Sequence, residues 1–207
     1  YMMTLVFQGA RLSFYMLLLL SLPVLVNTHY ILVIWLKLVP DHAVLFVQLI
    51  LIFAMCESIS NPLITAMLAT GRIRNYQIVV GGMQLLNLPI SYWCLQCGCM
   101  PESILIVAIC ISLGCLTARL ILLRNMINLS IALYVKKVIL NILVVAAISV
   151  IIPYTLTKYM SESFVTFFII SLITIFCTII AEYCIGCSSE ERLFIKDKIS
   201  KVTKRFV

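Results

Sequence analysis

Six long apolar runs, each broken by only a few polar residues, follow one another along the chain with short connections between them. They cover residues 12–35, 43–68, 77–95, 103–123, 138–156 and 163–183. A helix rising 1.5 Å per residue needs about 20 residues to cross about 30 Å of hydrocarbon, and the runs have that length. A membrane strand would alternate polar and apolar positions over about ten residues; these runs are continuous. The pattern predicts an all-α integral membrane protein of about six transmembrane helices. Turn formers mark the connections: Pro40-Asp41, Thr70-Gly71, Gly98 and Pro101. The connection at 125–137 is longer, and Ser130 is placed to cap a short interfacial helix there. The last segment, 188–207, reads as a cytoplasmic amphipathic tail. Ile195, Ile199, Val202 and Phe206 share one face of it, with lysines between them.

The polar residues inside the runs are ordered. At 100° per residue, Glu57, Ser58, Asn61 and Thr65 fall in one sector of the second span. Gln77, Gln84, Asn87 and Ser91 do so in the third, Ser112, Cys115 and Arg119 in the fourth, and Ser171, Thr174, Thr178 and Glu182 in the sixth. Hydrocarbon tolerates such groups poorly, so stripes of them mark helix contacts or a hydrated path. Glu57, Asn61, Thr65, Gln84 and Asn87 are therefore the candidate pathway residues. Glu57 is the sharpest, because a carboxyl at mid-span must be solvated, paired or protonated, and so is suited to carry a proton. Arg119 and Glu182 lie near span ends, where snorkelling to the interface accounts for them. Proline recurs in the spans at 23, 62, 89 and 153. Each removes a backbone donor, and Pro62 and Pro89, beside the polar stripes, are the expected hinges.

Composition agrees with lipid burial. Hydrophobic residues make up 63% of the 207, against 11% charged, where soluble domains carry about a quarter. The mean hydropathy is +1.15. The net charge of +7 belongs to loops and the tail, with no basic-aromatic stripe for nucleic acid, so that partner is excluded. Arg11, Arg72, Arg74, Arg119, Arg124, Lys136, Lys137 and the six basic residues from 192 onward fall on one side of the six-span topology. Only Lys37 and Lys158 fall on the other. The positive-inside rule then places both termini in the cytoplasm. Most cysteines lie in apolar runs and read as small hydrophobes. The cluster Cys94, Cys97 and Cys99 at the end of one span offers a metal or disulfide site as the alternative. It lacks the second ligand pair that a metal site wants, so no metal is expected and the plain reading as small hydrophobes is preferred. His29, Asp41 and His42 gather on the outward side, where acid–base chemistry would have its one foothold. An interfacial belt with Tyr30 and Trp35 accounts for His29 more simply.

The stretch at 53–62, FAMCESISNP, continues as LITAMLATGRIRNYQIVVGGMQLLNLPISY. It resembles the polysaccharide and O-antigen flippases of the multidrug/oligosaccharidyl-lipid/polysaccharide exporter superfamily. The segments SFYMLLLLSLPVLVNTHYILVIWL and RNMINLSIALYVKKVIL are similar to the same proteins. The resemblance implies alternating access in a two-lobe transporter of about 12–14 helices, of which this chain would be the C-terminal part. Its start at Tyr1, without Met or a signal peptide, fits that expectation. The implied cargo is an undecaprenyl-pyrophosphate-linked glycan, moved across the bacterial inner membrane, with protons or cations as coupling ion. No enzyme activity and no cofactor are implied. The family's cationic cavity has no counterpart in a mid-span Lys or Arg of this chain, so no substrate-binding residue carries over. The nearest alternative is a multidrug or cation exporter of the same superfamily; a membrane-embedded glycan-processing enzyme is more remote.

Overall fold

The computed structural model describes residues 2–159, 163–187, 191, 192 and 196. Those residues are helical with short links, and no strand occurs among them. Six helices or helix pairs are long and apolar enough to cross a membrane. The chain is thus an all-α protein of the multi-pass membrane type. The expected tail at 188–207 lies outside the described residues, apart from Glu191, Arg192 and Lys196.

The first span is α1 (Met2–Val26), continued past a break at Asn27 by α2 (Thr28–Leu36). It begins ten residues earlier than the apolar run at 12–35 predicted. The helix absorbs Gln8 and Arg11 because its buried stripe, Val6, Ala10, Phe14, Leu18 and Leu22, is already in phase there. The break is local. Asn27 Nδ2 donates to the Pro23 carbonyl at 3.0 Å, supplementing the backbone bond to the same oxygen at 3.2 Å.

Span two is α3 (Ala43–Ala69), closed by Gly71 at φ +70°, a left-handed position that glycine takes without strain. Span three is split into α4 (Ile73–Leu85) and α5 (Asn87–Gln96). The split lies beside Pro89, one of the two expected hinges: its missing N–H leaves the Leu85 carbonyl without its helical donor. Pro62, the other, sits inside α3 without interrupting it. There the chain makes a close crossing instead, since a Cβ added at Gly9 of α1 would lie 3.4 Å from the Pro62 ring.

Span four is α6 (Ser103–Ile127). The short helix α7 (Ile131–Tyr134) is capped by Ser130, whose Oγ accepts from the Leu133 N–H at 3.5 Å. It is not a separate interfacial piece. A wide turn at Val135–Ile139 carries it straight into α8 (Leu140–Tyr159), so the fifth span starts earlier than 138. Span six is α9 (Phe164–Ala181), extended by a second wide turn at Glu182–Gly186.

α1 is the hub, packing on α3, α8 and α9; α3 packs on α6, and α6 on α4 and α5. The core runs through α1 (Phe14, Leu18), α3 (Leu63, Met67), α6 (Leu120, Leu123) and the fifth span (Tyr134, Val138, Val145). Tyr134 is pinned twice. Its hydroxyl donates to the Ile59 carbonyl at 3.2 Å, and its ring meets Phe7 edge-on at 5.5 Å. At one end of the bundle Arg11 pairs with Glu191 at 2.7 Å and donates to the Gly186 carbonyl at 3.3 Å. At the other, His42 Nδ1 hydrogen-bonds the buried Glu102 carboxylate, joining the two loops there.

Candidate functional site

α3 crosses α1 on one side and α6 on the other, and Glu57 sits between these contacts. Its carboxylate accepts a hydrogen bond from the Ser112 hydroxyl of α6. It is half-buried, and it borders two cavities at once. The first, of about 220 Å³, lies among α3, α4, α5 and α6 and is lined by Phe53, Glu57, Gln84, Asn87, Ala108, Ile111 and Ser112. The second, of about 600 Å³, is a groove between α1 and α3 that brings Ser13 to Glu57, Ser58 and Asn61. A third, of about 410 Å³, continues from Ser13 and Asn61 past Pro62 and Thr65 to Ala69. Phe53 and Glu57 join the first two, and Ser13 and Asn61 join the last two. A line of space thus follows the polar edge of α3 from mid-span to its C-terminal end.

The five residues singled out from the sequence are therefore sorted. Glu57, Gln84 and Asn87 share one cavity. Asn61 and Thr65 line the groove, where both are exposed. Asn87 also accepts from the Ser91 hydroxyl at 3.2 Å, and Thr65 donates to the Asn61 carbonyl at 3.1 Å. Gln77, of the same stripe as Gln84, is exposed and lines none of the three cavities. Two contributors escaped the sequence reading. Ser13 is one of several hydroxyls scattered along the first span, and only the phase of α1 against α3 reveals it. Ser112 belonged to a recognised stripe, but its partner across the helix pair was not deducible.

Arg119 corrects an expectation. It does not snorkel: it is 1% exposed, and its Nε and Nη1 have no hydrogen-bond partner. Side chains on a helix lean toward its N-terminus. Arg119 lies in the C-terminal half of α6, so its stem leans back into the bundle and not out to the nearer interface. The same geometry holds Glu182 partly inside, with Oε1 buried and unbonded. Arg119 lines none of the three cavities, and no basic side chain lines any of them.

Among the described residues, no group of three or more His, Cys, Asp or Glu side chains is arranged to hold a metal ion. The arrangement around Glu57 offers a carboxylate with one hydroxyl donor, carboxamides within the same cavity, and an apolar wall (Phe53, Ala108, Ile111). That chemistry suits reversible binding of a proton or a cation, coupled to passage of polar groups along a groove whose other flank is apolar. Comparison with protein-family models, curated proteins and solved structures gives no match to this chain.

Proposed function

We propose that this chain forms part of a transport pathway for lipid-linked glycans, exporting polysaccharide or O-antigen repeat units across the bacterial inner membrane by alternating access. The observation that carries the reading is the position of Glu57 at the junction of two cavities. The groove between α1 and α3 supports the cargo class. Its floor is polar at Ser13, Glu57 and Asn61, while Met16, Leu20 and Ile50 on its walls are exposed side chains suited to lipid. A lipid-linked glycan needs both: a path for its head and a lateral opening through which its hydrocarbon tail stays in the bilayer. Glu57 is the coupling group, taking up and releasing a proton or cation as the helices rearrange. Pro89, at the α4–α5 break, is the hinge that lets the wall beside Gln84 and Asn87 move. The excess of basic residues in the loops on one side supports a cytoplasmic position for the start of the first span and the end of the last.

A second reading, a multidrug or cation exporter, draws on a different observation: the cavities hold one acidic side chain and no basic one. The two readings part at the cargo. With Glu57→Gln, the glycan reading expects surface glycan to be lost while the protein remains inserted and drug sensitivity is unchanged. Normal surface glycan in that variant removes the proposed mechanism. Sensitivity to cationic drugs, with glycan intact, transfers the role of Glu57 to the second reading.

A further inference from the structure

The end of α5 places two cysteines together. The Cys99 N–H donates to the Cys94 carbonyl at 3.2 Å, and the Gly98 N–H donates to the Leu95 carbonyl at 3.0 Å, with Gly98 in the left-handed region at φ +81°. This pair of nested bonds is the Schellman closure, which folds the residue two after the cap back onto the residue three before it. Here those two residues are Cys99 and Cys94, whose thiols are both free in this structure. The bond from the Cys99 N–H to the Cys94 carbonyl draws the two backbones together, and a disulfide joins residues whose Cα atoms lie about 4.4–6.8 Å apart. Cys97, the residue between, is exposed and belongs to the cap itself.

The connection that follows is only Gly98 to Pro101, and it delivers Glu102 to the start of α6. The Glu102 carboxylate is buried and bonded to His42 of the neighbouring loop. Whatever fixes the Schellman turn also fixes the anchor that ties α6 to α3 at this end.

We propose that Cys94 and Cys99 are joined by a disulfide that staples the α5–α6 turn on the outer face of the membrane. This rests on the orientation proposed above, which puts this turn in an oxidising compartment. The oxidant is a protein disulfide of that compartment. One cysteine thiolate attacks a sulfur of that disulfide, giving a mixed disulfide and releasing one oxidant thiolate. The second cysteine thiolate then attacks the first cysteine's sulfur and releases the other oxidant thiolate. In all, the two thiols give up two protons and two electrons, and the oxidant's disulfide becomes a dithiol.

The opposite end of the bundle supplies an internal contrast. Cys184 and Cys187 are spaced as a Cys-x-x-Cys pair beside the wide turn at Glu182–Gly186. Burial and the Glu191 carboxylate push the Cys187 thiol above its usual range, against the opposing Arg11 guanidinium. Little of it is thiolate at neutral pH, and on the cytoplasmic side both thiols stay reduced.

The test is differential thiol labelling of the full chain in its native membrane, read by mass spectrometry. Membranes are quenched and denatured in one maleimide, then reduced and treated with a second, isotopically distinct one. Cys97, Cys184 and Cys187 take the first label; Cys94 and Cys99 take the second. In Cys94→Ser, Cys99 moves to the first label. The staple is overturned if Cys94 and Cys99 take the first label in the wild type, or if Cys99 still needs reduction in Cys94→Ser, which is pairing with Cys97. A membrane-impermeant maleimide on intact spheroplasts separates the two layers of the claim. Labelling of Cys97 without Cys184 upholds the orientation whatever the staple does. Labelling of Cys184 without Cys97 overturns the orientation and the staple with it.

Discussion

The polar edges of α3 and α9 read alike in the sequence, each offering one hydrophilic residue per helical turn, yet the fold uses them in opposite ways. On α9, Thr174 and Thr178 are fully buried, and their hydroxyls donate to the carbonyls four residues back, Ile170 at 2.7 Å and Thr174 at 2.8 Å. These two hydroxyls satisfy themselves within the helix and pack like small apolar residues, while Ser171 of the same stripe accepts from Asn27 Nδ2 at 3.5 Å. On α3, Glu57 has a carboxylate, a group with no donor of its own, and it finds one on another helix at Ser112. Asn61 and Thr65 open onto the groove. A hydroxyl can close its hydrogen bonds within its own helix; a carboxylate cannot and must look outward. The kind of polar group, more than its spacing, decides whether a stripe seals a contact or lines a path.

Breaking the open side should therefore cost function and leave the fold standing. The largest effect is expected from Glu57→Gln, which keeps the shape and removes the charge. Transport in vesicles loaded with a lipid-linked oligosaccharide should fall at least about tenfold, the scale of about 1.4 kcal/mol in the rate-limiting step, with unchanged yield of inserted protein. Ser112→Ala comes next. It strips Glu57 of its donor; a hydrogen bond to a charged group is worth about 1.5–3 kcal/mol when nothing replaces it. Water in the adjoining cavity offsets part of that, so transport should drop about three- to fivefold. Equal activity of Ser112→Ala and wild type would mean that the bond is incidental.

The closed side should fail differently, through packing. Gly186 sits against Tyr15 of α1, and a Cβ there would lie 2.8 Å from the ring. Tyr15 is buried, so the ring has little room to yield. Overpacking of this sort costs about 1–3 kcal/mol, and Gly186→Ala should lower the thermal midpoint of the detergent-solubilised protein by several degrees. Transport per inserted molecule should stay within about twofold of wild type, since neither residue lines the three cavities. Unchanged stability would show that the turn at Glu182–Gly186 is looser than its contact with Tyr15 implies.

The sequence made the fold legible because hydrocarbon imposes one rule on every span, and the apolar runs obey it. Boundaries drifted where polar residues are absorbed at helix ends, as with Gln8 and Arg11 of α1. The site was half legible. Periodicity named Glu57, Asn61, Thr65, Gln84 and Asn87, because each lies on a sector that repeats. It could not name Ser13, whose place in the site depends on how α1 faces α3, nor pair Ser112 with Glu57, because that pairing depends on how α3 and α6 cross. Arg119 was misplaced for a simpler reason: distance from a helix end says nothing about which way the side chain leans.

The smallest effect is the most informative about the comparison. Thr178→Val removes a hydroxyl from the closed stripe and replaces it with a methyl of nearly the same size. The lost bond runs to the Thr174 carbonyl, which keeps its ordinary helical donor, so no acceptor is orphaned. Back-bonding of this kind slightly strains a helix, and burying a hydroxyl carries its own desolvation cost. Both terms oppose the bond that is lost, so the net change should lie within about 1 kcal/mol, with transport unaltered. The same chemistry applied to an open position, Asn61→Leu, removes a carboxamide from the groove floor and should slow transport measurably at equal stability. If instead Thr178→Val slows transport and Asn61→Leu does not, the open and closed stripes have been assigned the wrong way round, and the path runs along α9.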